Sequence, residues 1–347
     1  MNRRAAAGTA AAAVVAGAIA LAVVLARDGG GGPSPGTATA PPAASVPAVT
    51  APPGTAPVPV PADDLPGAPP PPWGDFAGAP PDLATPPGGS AAVAPLPAGD
   101  ELTLRRADGS VLARASVDPS GGYTDARFYD REGRLTVVVD GLHPGVATGP
   151  AGGGGGARVR CGSASRKDAG YRWTAFPIRW HMSSRPLARG LSRAATLTAM
   201  RRARGTWNAN RSHCRGIRDA SSARFTYVAR TPRVSGRDGV NLVEFGEVDG
   251  LGGLCAGTVA CTITWLSGNR AVESDVRIDR DNPAGYSIRR RAGRFDVESV
   301  LVHESGHTLG FGHVGARDNV MFPTIARGST AGRRLGRGDA TANNAKY

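Results

Sequence analysis

Apolar positions in the C-terminal half of the chain recur with two spacings. Short apolar or alternating runs predict strands, and they lie at Ile178–Met182, Phe225–Val228, Asn241–Phe245, Val259–Leu266 and Val272–Ile278. Apolar residues three and four positions apart predict two helices, with Ser192 and Asp296 as their N-caps. A strand, a helix, several strands and a second helix predict an α+β domain with a mixed twisted sheet over residues 157–347.

A smaller set of strand patterns fills residues 99–150. Its apolar clusters are Leu102 with Leu104, Val111–Ala113, Phe128 with Tyr129, and Leu135–Val139. Asp108-Gly109 and Glu132-Gly133 lie between them as turn signals. The pattern predicts a small β unit, which would be only marginally stable alone. A pro-segment, a spacer module and a flap packed on the larger domain all fit it, and Gly152–Gly156 marks the boundary.

Composition separates these domains from the N-terminal part of the chain. Of the 29 prolines, 21 lie between Pro33 and Pro97, and residues 28–98 have neither helical nor strand periodicity. Proline-rich chain favours extended polyproline II, so this segment is predicted to be a linker that acts as a semi-rigid tether.

The first 27 residues are predicted to be a targeting signal. A basic Met1–Arg4 precedes the uncharged, apolar run of residues 5–25. An uncleaved signal anchor and a cleaved signal peptide both fit this pattern. Either one predicts that everything after residue 28 lies outside the membrane, as a single-pass membrane protein or as a secreted one.

The net charge of +13 changes this picture little. Lys167 and Lys346 are the only lysines, and arginine supplies the remaining positive charge. We interpret the excess of positive charge as a result of genome composition that also favours solubility. The alternative interpretation is that it binds an anionic cell-wall surface. No nucleic-acid-binding motif is present, so that class of partner is not predicted.

The second predicted helix carries a metal-ligand pattern. His303 and His307 are four residues apart, so both imidazoles lie on one helix face. Gly310 allows the chain to turn back, and His313 can then supply a third nitrogen. Three protein ligands that leave a fourth position for water are typical of catalytic Zn²⁺.

Glu304 adjoins the first of these ligands and is predicted to be the general base. Its carboxylate can take a proton from zinc-bound water and return it to a leaving amine. The pattern therefore predicts one catalytic zinc ion and hydrolysis of peptide bonds in a peptide or protein substrate.

The motif His303-Glu304-x-x-His307-x-x-Gly310-x-x-His313, followed by Asn319–Pro323, resembles the metzincins, and among them the matrixins. Residues 273–278 and 296–301 are also similar to matrixin sequences, and the resemblance, to a bacterial type, covers residues 157–347. It implies a matrixin-like fold, cleavage of extended peptides and Met321 as the Met-turn residue beneath the metal.

The same resemblance implies a substrate site. Residues 258–262 would form the edge strand that pairs with substrate, with Val259 and Ala260 as contacts, and residues after His313 would wall the pocket beyond the scissile bond. No clear counterpart of the calcium and structural-zinc sites of animal matrixins is visible, so a calcium ion is not assigned.

Four cysteines in an exported chain predict two disulfides. Cys255 with Cys261 would close a short loop, and Cys161 with Cys214 would tie the start of the domain to the end of its first helix. The resemblance offers a rival role for Cys161, because Arg160-Cys161-Gly162 is similar to the matrixin cysteine switch, in which a thiolate occupies the open metal position.

The remaining histidines, His143, His181 and His213, are predicted to be surface or locally bonded rather than ligands. Two other functions stay open beside an active endopeptidase: a catalytically silent cell-surface binding protein and a zinc hydrolase of cell-wall peptides. The complete set of three histidines, Glu304 and Met321 favours activity over a silent role.

Overall fold

A computed structural model describes residues 101–105, 110–117, 123–145, 161–248, 255 and 257–347. The predicted targeting segment 1–27, the linker 28–98 and Gly152–Gly156 lie outside these residues, as do parts of the 99–150 unit. Within the described ranges, no helix combines the length and apolar character that a membrane span requires.

The order of strands and helices in the described residues largely follows the order predicted from the sequence. The strands are β1 Glu101–Arg105, β2 Val111–Val117, β3 Tyr123–Tyr129, β4 Leu135–Pro144, β5 Ile178–Ser183, β6 Phe225–Thr231, β7 Asn241–Gly246, β8 Ala260–Ser267, β9 Arg270–Asp279, β10 Tyr286–Ser287, β11 Phe295–Asp296 and β12 Thr324–Ile325. The helices are α1 Arg193–Asn208, α2 Val297–Thr308 and α3 Arg337–Lys346, with a short 3-10 helix at Ala331–Arg333.

One ten-stranded sheet contains most of these strands, in the order β1-β2-β3-β4-β8-β9-β7-β5-β6, with β12 joined to β4. The pairs β5–β6, β5–β7 and β7–β9 are parallel, whereas β8–β9 is antiparallel. This mixed sheet with its few helices confirms the predicted α+β class.

The small β unit is continuous with the main sheet. Strands β1 to β4 form an antiparallel meander, and β4 pairs antiparallel with β8 from Val137–Trp265 to Leu142–Ala260. This pairing shows that the small β unit packs on the larger domain, as one of the alternatives predicted from the sequence requires. The domain limits drawn from the sequence stay predictions.

Helix α2 belongs to the hydrophobic core of the described residues. The side chain of Asp296 accepts a hydrogen bond from the amide of Ser299 at 2.9 Å, which caps the helix at the predicted position. Helix α1 packs against α2, and the Trp207 indole donates to the carbonyl of Val302 at 2.7 Å. All twelve residues of α2 are buried, so the helix presents its polar side chains to an enclosed space.

Gly310 ends the central helix as predicted. Its φ is +81°, and a Cβ at this position would lie 2.5 Å from the carbonyl oxygen of Tyr171. Both the positive φ and the close approach of the backbone favour glycine.

The C-terminal helix α3 was not predicted, because Arg337–Lys346 has no apolar periodicity. Its buried face consists of small and polar residues: Gly338, Asp339, Ala340, Ala342 and Asn343. The Asn343 amide donates to the carbonyl of Trp207 at 3.2 Å, and Asp339 bonds the loop before the helix. Helix α3 is therefore held against the rest of the domain by polar contacts. A search for apolar periodicity could not predict such a helix.

Both predicted disulfides are present. Cys161 is bonded to Cys214 and Cys255 to Cys261, with Cα–Cα distances of 5.5 Å and 5.9 Å. These distances lie within the range that a disulfide spans. Because the Cys161 sulfur is bonded to Cys214, it is not at the histidine cluster, and the structure contradicts the cysteine-switch alternative.

Candidate metal centre and active site

Three histidine side chains converge on one point at the end of helix α2. The Nε2 atoms of His303 and His307 are 2.9 Å apart, and those of His313 lie 3.2 Å and 3.1 Å from them. Among the described residues, these side chains form the group whose ligating atoms are close enough to share one metal ion. Helix α2 places the first two, and the turn at Gly310 brings back the third.

Hydrogen bonds on the far side of two rings fix which nitrogen can bind a metal. His303 Nδ1 lies 2.6 Å from the carbonyl of Val320, and His307 Nδ1 lies 2.8 Å from the carbonyl of Phe311. A carbonyl can only accept, so each Nδ1 carries the proton and each Nε2 offers a lone pair.

Burial keeps these histidines neutral. It lowers the pKa of His303 to about 4 and lowers the pKa of His307 and of His313 well below the ordinary range. His303 and His307 therefore present unprotonated Nε2 atoms to each other at 2.9 Å, with no proton to place between them. The Nε2 of His313 lies within 3.2 Å of both. A zinc ion fits this donor set, since Zn²⁺ favours neutral imidazole nitrogens in a tetrahedral arrangement.

Glu304 lies beside the histidines and is wholly buried. The hydroxyl of Thr262, on strand β8, donates to its Oε2. Its Oε1 has no hydrogen-bond partner within the described part of the chain. Burial raises the pKa of Glu304 well above its usual range, while the bond from Thr262 opposes this rise. One oxygen is therefore oriented by the sheet and the other is left to interact with a bound molecule.

Met321 packs against the underside of helix α2. A Cβ on Gly306 would collide with the Met321 sulfur and would lie 2.8 Å from Trp207 Cζ2. Gly306 thus allows the methionine and the tryptophan to reach the helix backbone between His303 and His307. This position is the one expected of a Met-turn residue. The Met-turn role of Met321 itself stays a prediction.

Asp339, at the start of α3, holds the segment that carries Met321. Its carboxylate accepts from the amides of Val320 and Gly336 at 2.7 Å each and from Met321 at 3.4 Å. Burial raises the pKa of Asp339 to about 6. Sequence reasoning missed this residue, because its partners belong to another segment.

A second missed residue, Asp140 on β4, reaches the back of the histidine cluster. Its Oδ2 lies 3.5 Å from His307 Nδ1, and neither carboxyl oxygen has a hydrogen bond within the described residues. Burial, followed by the nearby charge of Asp125, raises the pKa of Asp140 well above its usual range. No sequence signal singled this residue out.

The residues predicted to pair with substrate do not lie at a free edge. Val259 and Ala260 are wholly buried, and β8 is covered along Ala260–Trp265 by β4. The edge position expected for residues 258–262 is therefore corrected, because β4 forms a further strand beyond it. Their role toward substrate stays a prediction.

The other three histidines lie apart from the convergent Nε2 atoms. Burial lowers the pKa of His181 and of His213, which lie near arginines outside the cluster. His143 lies on β4, and its backbone amide donates to Pro323 at 2.9 Å. It is close enough that its charge adds to the lowered pKa of His303 and His313.

Comparison with known proteins gives similarities over the same part of the chain. Residues 240–347 match the Matrixin family model, Peptidase_M10. Metalloendoproteinase 2-MMP of Arabidopsis thaliana is 54% identical over 33 residues, which are 10% of this chain and 9% of the relative. Metalloendoproteinase 5-MMP of the same plant is 58% identical over 33 residues, with the same two shares.

These matches span about a tenth of each relative, so they concern a short segment rather than whole proteins. Together with the family model, they confirm the resemblance drawn from the His303–His313 motif. Both relatives are plant proteins, so the expectation of a bacterial type stays a prediction.

Proposed function

We propose that this chain, which is matrixin-like over residues 240–347, is a zinc-dependent endopeptidase. The observation that carries the proposal is the convergence of three neutral Nε2 atoms within 3.2 Å, with the Glu304 carboxyl on the same helix. A catalytically silent binding protein would have no need of a buried carboxyl at this position, because burying it unpaired is unfavourable.

His303, His307 and His313 would hold the ion. When bound, zinc would supply Lewis acidity and make a water molecule acidic enough to give up a proton near neutral pH. The protein's own part is to orient the three imidazoles through the carbonyls of Val320 and Phe311 and to shield them from bulk water.

Glu304 would move the proton. Thr262 holds its Oε2, which leaves Oε1 to accept a proton from the attacking water and to deliver it to the amine released by peptide cleavage. Burial raises the pKa of Glu304 and so favours its protonated form, which is the form that delivers a proton to the leaving amine.

The substrate would be an extended peptide, because hydrogen bonds to the backbone bind many sequences and side-chain pockets then select among them. Val259 and Ala260 would contact it only in a chain from which β4 has been displaced, since β4 pairs with β8 from Ala260 to Trp265. The enzyme would act outside the cell, with residues 28–98 as a tether from a membrane anchor or with residues 1–27 removed. We also propose an anionic cell-wall surface as a partner, which the net charge of +13 would attract.

The test is hydrolysis of a generic unfolded protein by the full chain, with and without a zinc chelator. Glu304→Gln should abolish chelator-sensitive cleavage and retain zinc. Glu298→Gln changes a glutamate on the same helix that lies near Arg333 and is the matched control. A folded, zinc-loaded chain that cleaves nothing would refute the proposal, as would a folded chain that binds no zinc.

A further inference from the structure

An open cavity of about 430 Å³ lies at the amino ends of strands β5 and β7. Its lining also includes the start of β9 and the segment that precedes β5. A volume of this size is typical of sites for small molecules, which span roughly 300–1,000 Å³. Among the described residues that line the cavity are neither Glu304 nor the three convergent histidines, so it is separate from the metal centre.

Hydrogen bonds hold the walls of this cavity together. The Nδ2 of Asn241 donates to the carbonyl of Arg179 at 2.8 Å, and its Oδ1 accepts from the amide of Ser274 at 2.8 Å. The amide of Ala271 donates to the carbonyl of Arg172 at 2.9 Å, which ties the segment before β5 to β9. The cavity is therefore built on strands that are bonded to one another, as in the largely preformed sites that bind small molecules.

Part of the lining is apolar. Ile178 and Ala271 are buried, and Trp173 is only 8% exposed. The indole nitrogen of Trp173 donates to the carbonyl of Thr308 at 2.7 Å, so the orientation of the ring is fixed. Pro177 adds further carbon atoms to the same lining. Contact with the apolar part of a ligand would remove this surface from water, which favours binding.

The charged part of the lining is basic. Arg179, His181 and Arg270 line the cavity, whereas no described aspartate or glutamate does. Arg179 and Arg270 are exposed, and neither side chain forms an ion pair with another described residue. Burial, followed by the charges of Arg179 and Arg233, lowers the pKa of His181. A concave surface that carries charge of one sign concentrates ions of the opposite sign.

Asp238 is an acidic residue next in sequence to the lining residue Gly239. Its carboxylate is already paired, because its Oδ2 accepts from Arg233 at 2.8 Å. Its charge raises the pKa of His181, but by less than the charge of Arg179 lowers it. The cavity therefore keeps an excess of positive charge that the described residues do not neutralise.

We propose that this cavity is a binding site for a small organic anion, whose charged group is held by Arg179 and Arg270 and whose apolar part contacts Trp173 and Ile178. A guanidinium group presents its donors in a planar fork that matches the oxygens of a carboxylate or a phosphate. The two head groups share this chemistry, so the test offers both. The inference goes beyond the proposed endopeptidase function and does not depend on it.

Titration calorimetry on the full chain gives the first test. Benzoate and phenyl phosphate supply the two head groups on an aromatic ring, acetate and inorganic phosphate lack the ring, and benzamide has the shape of benzoate without its charge. We expect benzoate or phenyl phosphate to bind with a dissociation constant of about 1 mM or lower. Removal of the ring should weaken binding by roughly tenfold or more, because the apolar lining loses its contact. Benzamide should not bind.

Variants of the two arginines locate the site. Arg179→Gln and Arg270→Gln should each weaken binding of the anion by roughly tenfold, because each removes a charge-assisted hydrogen bond. Arg230→Gln changes an exposed arginine on β6 that does not line the cavity and should bind as the unmodified chain does. In magnetic resonance spectra of histidine-labelled chain, the anion should shift the ring signals of His181 and leave those of His213 unchanged.

A second pair of variants keeps the test independent of any one arginine. Ala175→Glu places a carboxylate in the cavity at an exposed lining residue, so no buried contact is lost. Ala292→Glu makes the same change at an exposed alanine outside the cavity. Thermal melting shows that both variants are folded. Only Ala175→Glu should abolish binding of the anion.

Three results would overturn the anion site. The first is that neither benzoate nor phenyl phosphate binds at millimolar concentration. The second is that the anion binds equally to the unmodified chain and to folded Arg179→Gln, Arg270→Gln and Ala175→Glu. The third is that benzamide binds as tightly as benzoate, or that the head groups bind equally without the ring. None of these results depends on peptide cleavage, so the endopeptidase proposal stands or falls separately.

Discussion

The hydroxyl of Thr262 donates a hydrogen bond to Oε2 of Glu304, across a buried interface between strand β8 and helix α2. The two residues are 42 positions apart in the chain. This bond fixes the rotation of the carboxyl and leaves Oε1 as the oxygen that can exchange a proton.

Thr262→Val should therefore impair proton transfer without loss of zinc. Hydrogen bonds to charged groups are worth roughly 1.5–3 kcal/mol, so kcat should fall by about 10- to 150-fold. Because the Thr262 bond lowers the pKa of Glu304, its removal should also move the acidic limb of the kcat profile to higher pH. The measurement is kcat against pH, with zinc content determined on the same samples.

Thr262→Ser retains the hydroxyl and should restore both the rate and the profile. A valine variant with unchanged kcat and an unshifted acidic limb would show that the Thr262 bond does not serve proton transfer.

Replacing any one of the three convergent histidines with alanine should lower zinc content below one ion per chain and abolish cleavage. Two nitrogens leave the coordination incomplete, and structural and catalytic zinc sites in proteins use at least three protein ligands. Zinc is measured by atomic emission after dialysis against a weak chelator. His181→Ala, outside the cluster, is the control and should retain the ion; equal zinc in all four variants would contradict the assignment of His303, His307 and His313.

Gly306→Ala should destabilise the domain even though alanine favours helix. A Cβ there would overlap the Met321 sulfur and lie 2.8 Å from Trp207 Cζ2. Overpacking of this kind costs about 1–3 kcal/mol, against a gain of about 1 kcal/mol in helix propensity. Urea unfolding should show a lower midpoint than that of Gly162→Ala, where no atom lies within 4 Å of the added carbon. A midpoint equal to that of the control would mean that Met321 can move away without cost.

Stability should fall as the pH rises through the titration of Glu273, a buried residue of β9. Burial raises the pKa of Glu273 to about 7, while hydrogen bonds from the amides of Asp238 and Gly239 oppose this rise. The folded state thus binds a proton more tightly than the unfolded state does. Its contribution is full below the ordinary glutamate pKa, about 4.3, and is lost as the pH passes about 7.

Glu273→Gln should flatten the dependence of the free energy of unfolding on pH in this window. The comparison is made by urea unfolding at several pH values between 4 and 8, with the exposed Glu247→Gln as control. A slope in Glu273→Gln that equals the slope of the unmodified chain would exclude Glu273 as its source.

Local sequence determined much of this protein. The caps Ser192 and Asp296 gave the starts of α1 and α2, the four-residue spacing placed His303 and His307 on one face, and Gly310 ended the helix as expected. These features depend on interactions between residues a few positions apart, so their patterns can be recognised in the sequence.

Tertiary structure decided the rest. Several contacts join segments that are distant in sequence. They are the bond from Thr262 to Glu304, the contact of Met321 with Gly306, the packing of α3, and the position of β4 between β8 and β12. Strand register and neighbour order are set by which faces and edges meet in the folded sheet. The motif of three histidines and a glutamate was therefore visible in the sequence, whereas the pairing of β4 with β8 beside it was visible only in the fold.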